Sequence, residues 1–193
     1  MIVLGADGCP GGWVVAEVAA EVAADVAAEG APGSPVRWHS VADAEGLLAL
    51  ADRLGAALVA ADVPVGLPET GPRACDVAAK KVLGGLSASS VFPAPVRGVL
   101  AAPTYAAARA LSPSLSAQAY ALVPRIRDVD DALRRRGPAV HDRFVECHPE
   151  LSLRALTGRA LARKRSAPGA LQRLRALERE FGPLPNDPPR EAA

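Results

Sequence analysis

The sequence predicts an α/β fold built on a mixed sheet, and three observations carry that prediction. Short apolar runs separated by Gly/Pro turns open the chain, one amphipathic helix pattern follows them, and the next apolar run (56–68) is nearly continuous. Three strands, a helix, a strand, then helices around one more strand is an α/β order in which parallel and antiparallel neighbours share a sheet. With 193 residues, half of them apolar, the chain supports one core and a single domain, 1–193.

The elements follow in order. Ile2–Ala6 is apolar and ends at Asp7, Trp13–Val18 is the second run, and Pro10, Gly11 and Gly12 lie between them, which is a hairpin pattern. In "VAEVAAEVAADVAAEGA" the acids Glu17, Glu21, Asp25 and Glu29 recur every four residues, a spacing that serves helix and strand alike. We expect strand through about Val18 and leave 19–30 open. "SPVRWHSV" (34–41) reads as a third strand. Asp43–Leu54 reads as a helix capped by Asp43, with Leu47, Leu50 and Leu54 on one face and Gly55 ending it. "AALVAADVPVGLP" (56–68) has the composition of a central strand covered on both faces, and Asp62 lies where it runs out. A helical insertion broken by Pro and Gly spans about 72–137. Arg143–Cys147 is the last strand, two Arg-rich helices lie near 151–164 and 168–181, and a Pro-rich tail follows.

Composition excludes several classes. No run of about 18 apolar residues is present, so no membrane span is expected, and the N-terminus lacks the pattern of a secretion signal. Three cysteines, far apart and without a C-x-x-C pair, suit reduced thiols in a cytoplasm better than a disulfide framework. Aromatics are only 4 % of the chain, too few for a base-stacking platform. Residues 1–72 carry two arginines against ten acids, a net −8, whereas 73–193 carry 20 basic and 11 acidic residues, a net +9. An acidic half beside a basic half fits a metal site flanked by a phosphate-binding surface; solvated arginine-rich helix faces explain the asymmetry equally well.

The candidate chemistry rests on carboxylates at strand ends. Asp7 and Asp62 each close an apolar strand, and if those strands are parallel neighbours both emerge at one sheet edge, where ligands of open α/β sheets collect. Two such carboxylates repel one another, and a hard divalent cation is their natural partner. Glu146 leaves the last strand in the same manner, with His148 and Glu150 close behind. Three or four oxygen ligands around Mg²⁺ or Mn²⁺ suit phosphodiester hydrolysis with two ions about 3.5–4 Å apart. Gly8 and the Pro10-Gly11-Gly12 turn allow backbone to approach a ligand closely. Against these roles, Asp62 could instead cap a turn, and His148, beside Pro149, could simply enter a helix. Arg73, Lys80 and Lys81 with Ser89, Ser90 and Arg97 of "SSVFPAPVR" could form a phosphate-facing wall, or Phe92 could pack beneath a Pro-rich loop. Arg154, Arg159, Arg163, Lys164 and Arg165 either track a nucleic-acid backbone or coat a solvated helix.

Six segments, "GADGCPGGWVVAEV", "DVPVGLP", "RACDVAAKKVLG", "SSVFPAPVR", "SAQAYALVPRIRDVD" and "VECHPELSLRALTGRAL", resemble in order a bacterial family of predicted RNase H-like nucleases (domain of unknown function 429), of the RuvC and YqgF type. The likeness runs from Met1 to about Leu177. It implies a five-stranded RNase H-like sheet in the order 3-2-1-4-5, flanking helices, and a metal-dependent nuclease activity inferred in that family from fold. By the same resemblance Asp7 matches the acid of the first strand, Asp62 the acid closing the fourth, and Glu146 and Glu150 the acids of an "E-x-H-P-E" segment. The implied catalytic set is Asp7, Asp62 and Glu146, with Glu150 as a further Mg²⁺ or Mn²⁺ ligand and nucleic acid as partner. Relatives continue into a C-terminal helix with an Asp-x-x-Asp-Ala-like segment that supplies the last ligand. This sequence reaches Ala193 before such a helix, and Asp187 among prolines is a poor substitute; either the sequence is truncated or frameshifted, or an incomplete ligand set is expected.

Two other readings compete. A nucleotide-binding relative of sugar kinases and actin would use "DGCPGGW" as a phosphate cradle, although the loop lacks the usual Ser/Thr and one domain cannot clamp ATP. A non-catalytic module that keeps the fold to bind nucleic acid or protein is the other, and the incomplete ligand set adds weight to it without displacing the nuclease reading. No G-x-S-x-G, H-E-x-x-H or phosphate-loop motif is present.

Overall fold

The computed structural model describes residues 1–19 and 36–184. The acid repeat from Glu21 onward and Asp187 lie outside the described residues. The hairpin β1 (Ile2–Cys9) and β2 (Gly12–Ala19) is followed by β3 (Val36–Val41), α1 (Ala44–Leu54) and β4 (Leu58–Ala61). Then come α2 (Ala74–Leu83), two 3-10 segments (Gly85–Ser90 and Arg97–Ala101), α3 (Tyr105–Leu111), α4 (Ala117–Ala121), α5 (Val123–Arg136) and α6 (Pro138–His141). Strand β5 (Phe144–Glu146) leads into α7 (Pro149–Thr157) and α8 (Ala167–Phe181). The sheet is mixed and five-stranded in the order β3-β2-β1-β4-β5, the order that the family resemblance implies. β1 pairs antiparallel with β2 and parallel with β4, and β4 pairs parallel with β5.

Strand alternation selects the core. Leu4 and Ala6 of β1, Trp13 and Val15 of β2, Val59 and Ala61 of β4, and Phe144 of β5 are buried, and they share one core cluster with α1 and α5. Helix α1 contributes Leu47, Leu48 and Leu50, and α5 contributes Ile126, Val129 and Leu133, the three-and-four spacing of an amphipathic helix. Asp43 caps α1 as expected, accepting from Gly46 N at 2.8 Å, and Asp128 of α5 accepts from Ala44 N at 2.8 Å. Arg136 at the end of α5 bridges to Asp52 at 2.8 Å and also pairs with Glu45, so it spans α1 from its last turn to its first.

Several boundaries differ from expectation. The region 72–137 is not a simple appendage: α3 and α4 hold a small cluster of their own around Val99, Ala108 and Leu115, but α5 is a main cover of the sheet. β1 continues beyond Asp7 to Cys9. β4 spans only four residues, Leu58 and Ala60 stay half-buried, and the remaining apolar run is loop, with Val63 and Leu67 buried. An apolar run marks burial rather than strand, so the two cannot be told apart from composition. α7 stops at Thr157, where Gly158 takes a left-handed conformation (φ 67°), leaving 158–166 as a basic loop instead of helix. Among the described residues no helix is long and apolar enough to cross a membrane.

Candidate functional site

The parallel pairing of β1 with β4 aligns Ala6 with Ala61, and Asp62 N donates to Ala6 O at 3.1 Å. Asp7 and Asp62 are the next residues in that register. Because successive side chains alternate across a sheet, both project from the face opposite the buried Ala6 and Ala61, and both are exposed. The Asp62 carboxyl is held above its ordinary range, first by partial desolvation, then by the charge of Asp7 and least by that of Glu146, while His148 and Lys164 pull it down. Lys164 belongs to the basic loop after α7, in which Arg159, Arg163 and Arg165 are also exposed. The two aspartates therefore meet at the sheet edge as expected, beside a cationic loop.

Glu146 does not join them. β4 and β5 align Ala61 with Glu146, so alternation turns Glu146 toward the core face, one residue out of phase with Asp62. There it meets Arg73, whose Nη1 and Nη2 donate to its carboxylate at 2.6 and 2.9 Å. It also accepts from Val65 N at 3.0 Å. Arg73 is only 9 % exposed and is held on its other side by Asp76, through Nε at 3.1 Å and Nη2 at 2.5 Å. Burial works against its charge, but the hydrogen bonds to Glu146 and Asp76 outweigh burial and raise its pKa. Arg73 is thus turned inward and cannot form a phosphate-facing wall.

Glu150 is engaged as well. Arg173 of α8 donates to it from Nε at 3.0 Å and Nη2 at 2.6 Å, and those hydrogen bonds hold its carboxyl below the ordinary range in spite of burial. Among the described residues no group of three or more His, Cys, Asp and Glu side chains is placed to hold a metal ion. The expected four-acid cluster is therefore reduced to the pair Asp7 and Asp62.

The remaining expected contacts are scattered. Lys81 is exposed and Lys80 half-buried on the last turn of α2. Ser89 is exposed, and Ser90 Oγ donates to Ser87 O at 2.7 Å. His148 Nε2 lies 3.2 Å from Ser90 O, which brings this segment toward the Asp62 side, and its buried Nδ1 has no hydrogen-bond partner among the described residues. Arg97 pairs with Asp130 at 2.7 Å and Glu69 at 3.3 Å. It lines a cleft of about 780 Å³ along α5 whose walls include neither Asp7 nor Asp62.

The glycine turn has a different explanation from ligand approach. A Cβ on Gly8 would lie 1.2 Å from Arg125 Nη1. That guanidinium packs over the Trp13 ring with its carbon 5.1 Å from the centroid and donates to Cys9 O at 2.8 Å. A Cβ on Gly12 would meet Val41 O at 2.1 Å. Both glycines make room for the chain's own groups, and Gly8 is no open phosphate cradle. Arg125 and Arg173 are not marked in the sequence because they act through partners 116 and 23 positions away; Asp76 pairs with Arg73 at i,i+3, but its bond to Ala94 N spans 18 positions. The only trace was Gly8 itself, a small residue where a strand needs close approach.

Residues 5–193 match the family model described as "Protein of unknown function (DUF429)". No curated protein and no solved structure matches the chain. The match covers nearly the whole sequence, and the chain belongs to the DUF429 family.

Proposed function

We propose that this chain is a single-domain, cytoplasmic, RNase H-like nuclease that hydrolyses nucleic-acid phosphodiesters with Mg²⁺ or Mn²⁺ held by Asp7 and Asp62. The observation that carries the reading is the adjacency of these two carboxylates in the parallel β1–β4 register, on an open face and with Asp62 raised by desolvation and by Asp7. Oxygen-only donors fit a hard cation. Mg²⁺ characteristically keeps several waters and takes one or two protein carboxylates plus substrate phosphate oxygens, so two aspartates suffice for one ion. Bound there, such an ion supplies charge stabilisation at a phosphoryl oxygen and a more acidic water.

The chain's own residues supply the rest. Asp7 and Asp62 orient the site, and Lys164 with Arg159, Arg163 and Arg165 neutralises flanking phosphates without reading bases. Cleavage of RNA–DNA hybrid, single-stranded and branched substrates with Mn²⁺ tests the reading. Asp7→Asn and Asp62→Asn are each expected to remove cleavage while the proteins stay folded, and rates equal to wild type exclude the assigned roles.

A second reading is supported by the arginine partners of Glu146 and Glu150, which leave only two carboxylates for a metal: a non-catalytic nucleic-acid-binding module. It predicts substrate retention without cleavage, insensitive to Asp7→Asn and weakened by neutralising Arg159, Arg163 and Lys164 together.

A further inference from the structure

We infer that Arg73, Asp76 and Glu146 form a clamp that aims Asp62 at Asp7, which makes Glu146 a positioning residue and not a metal ligand; the metal part of this inference rests on the function proposed above. A guanidinium carries five N–H donors in a fixed fork. In Arg73 each has an acceptor: Nε and one Nη2 proton go to Asp76, the second Nη2 proton and one Nη1 proton go to Glu146, and the last Nη1 proton goes to Val65 O at 2.7 Å. No donor remains for a phosphate.

The clamp closes on the loop that carries Asp62. Val65 is gripped at both ends of its backbone, its carbonyl by Arg73 and its N–H by Glu146. Asp62 N is tied to Ala6 O and Val63 N to Ala61 O at 2.9 Å. Between those anchors only Pro64 intervenes, so the backbone path from Asp62 to Val65 is constrained from two sides of the sheet. Asp76 adds the third wall by accepting from Ala94 N at 2.9 Å, which links α2 to the segment after Val91. At 9 % and 4 % exposure for Arg73 and Asp76, the bonds that Asp76 accepts are shut off from water, whereas Glu146 closes the clamp from its exposed side. A lysine cannot replace Arg73, since three donors on one point cannot reproduce a fork.

Mn²⁺ uptake by the full chain, read by electron paramagnetic resonance and calorimetry, separates this role from ligation. Arg73→Lys keeps the charge and leaves Glu146 free to ligate; it is expected to weaken Mn²⁺ binding about tenfold, in the range for groups that orient a ligand. Glu146→Gln keeps an oxygen that can accept from Arg73 and Val65 and is expected to weaken binding less than Arg73→Lys does. Ligation by Glu146 predicts the reverse order. Amide hydrogen exchange gives a second readout. In Arg73→Lys, and more mildly in Glu146→Gln, the amides of Asp62, Val63 and Val65 are expected to exchange faster while those pairing β1 with β2 do not change, a pattern that uniform destabilisation would not produce. The inference is overturned if Glu146→Gln abolishes uptake with the loop amides unchanged, or if Arg73→Lys alters neither affinity nor exchange. Should the wild type take up no Mn²⁺, the metal reading fails by itself, and selective exchange in the loop still decides the clamp. If Arg73→Lys does not fold, exchange and uptake in Glu146→Gln decide it.

Discussion

Two sets of carboxylates gather near the ends of β1, β4 and β5, and their surroundings differ. Toward the core, Glu146 and Asp76 share one arginine with every donor used. On the open face, Asp7 and Asp62 lie side by side with no hydrogen-bonded cation among the described residues, and Asp62 is pushed up by desolvation and by its neighbour. The first arrangement is complete as it stands. The second carries repulsion that a ligand would relieve. A carboxylate's role here follows from which side of the pleat it occupies, and position at a strand end does not decide it.

Removing an acid from each face should therefore change stability in opposite directions. The largest effect is expected for Asp76→Ala, which leaves Arg73 paired with Glu146 alone and strips the acceptor from its Nε–H, one Nη2–H and the Ala94 N–H in the interior. Breaking a buried pair in this way costs about 3–5 kcal/mol, readable by urea denaturation. Glu150 sits between the extremes, paired across α7 and α8. Glu150→Gln should cost about 1.5–3 kcal/mol at neutral pH. Its folded pKa is lowered, so this contribution is fully present above the ordinary glutamate value and is lost as pH falls from there through the lowered folded pKa. The gap between wild type and variant, followed by thermal unfolding, should close in acid.

Gly8→Ala sharpens the contrast inside a single strand. Its Cβ would displace the Arg125 guanidinium from Cys9 O and from Trp13, a loss of about 1–2 kcal/mol. Asp7→Asn, one residue away on the other face, should cost nothing. The smallest effect has the opposite sign. Asp62 has a raised folded pKa, so its ionised form opposes folding above that pKa. Asp62→Asn should stabilise the protein at neutral pH by less than about 1 kcal/mol, because water screens an exposed pair. The gain should vanish as the pH falls below the ordinary aspartate value, where the wild-type carboxyl is protonated in both states. A loss of stability in Asp62→Asn at neutral pH would mean that the open-face pair has a structural partner.

Much of this architecture is legible in the sequence. The hairpin, the Asp43 cap, α1 with its Leu47 and Leu50 face, α8 and the convergence of Asp7 with Asp62 follow from local periodicity, from capping chemistry and from two strands ending in acid. Sheet order came only through family resemblance, since strand pairing is a long-range choice that no window of sequence reports. The misread residues share one cause. Glu146 was grouped with Asp62 because both end strands, but a single-residue offset in the β4–β5 register puts their side chains on opposite faces. Arg73 looked like a surface cation until Glu146, 73 positions away, enclosed it.

By itself, then, the sequence determined an α/β chain with a short Gly-rich hairpin, a capped helix and two aspartates at strand ends, because each of these is written in residues that touch their neighbours along the chain. Only the tertiary structure decided which acids face water and which face arginine. That choice depends on register, and register is set by how buried side chains on distant strands and helices pack together.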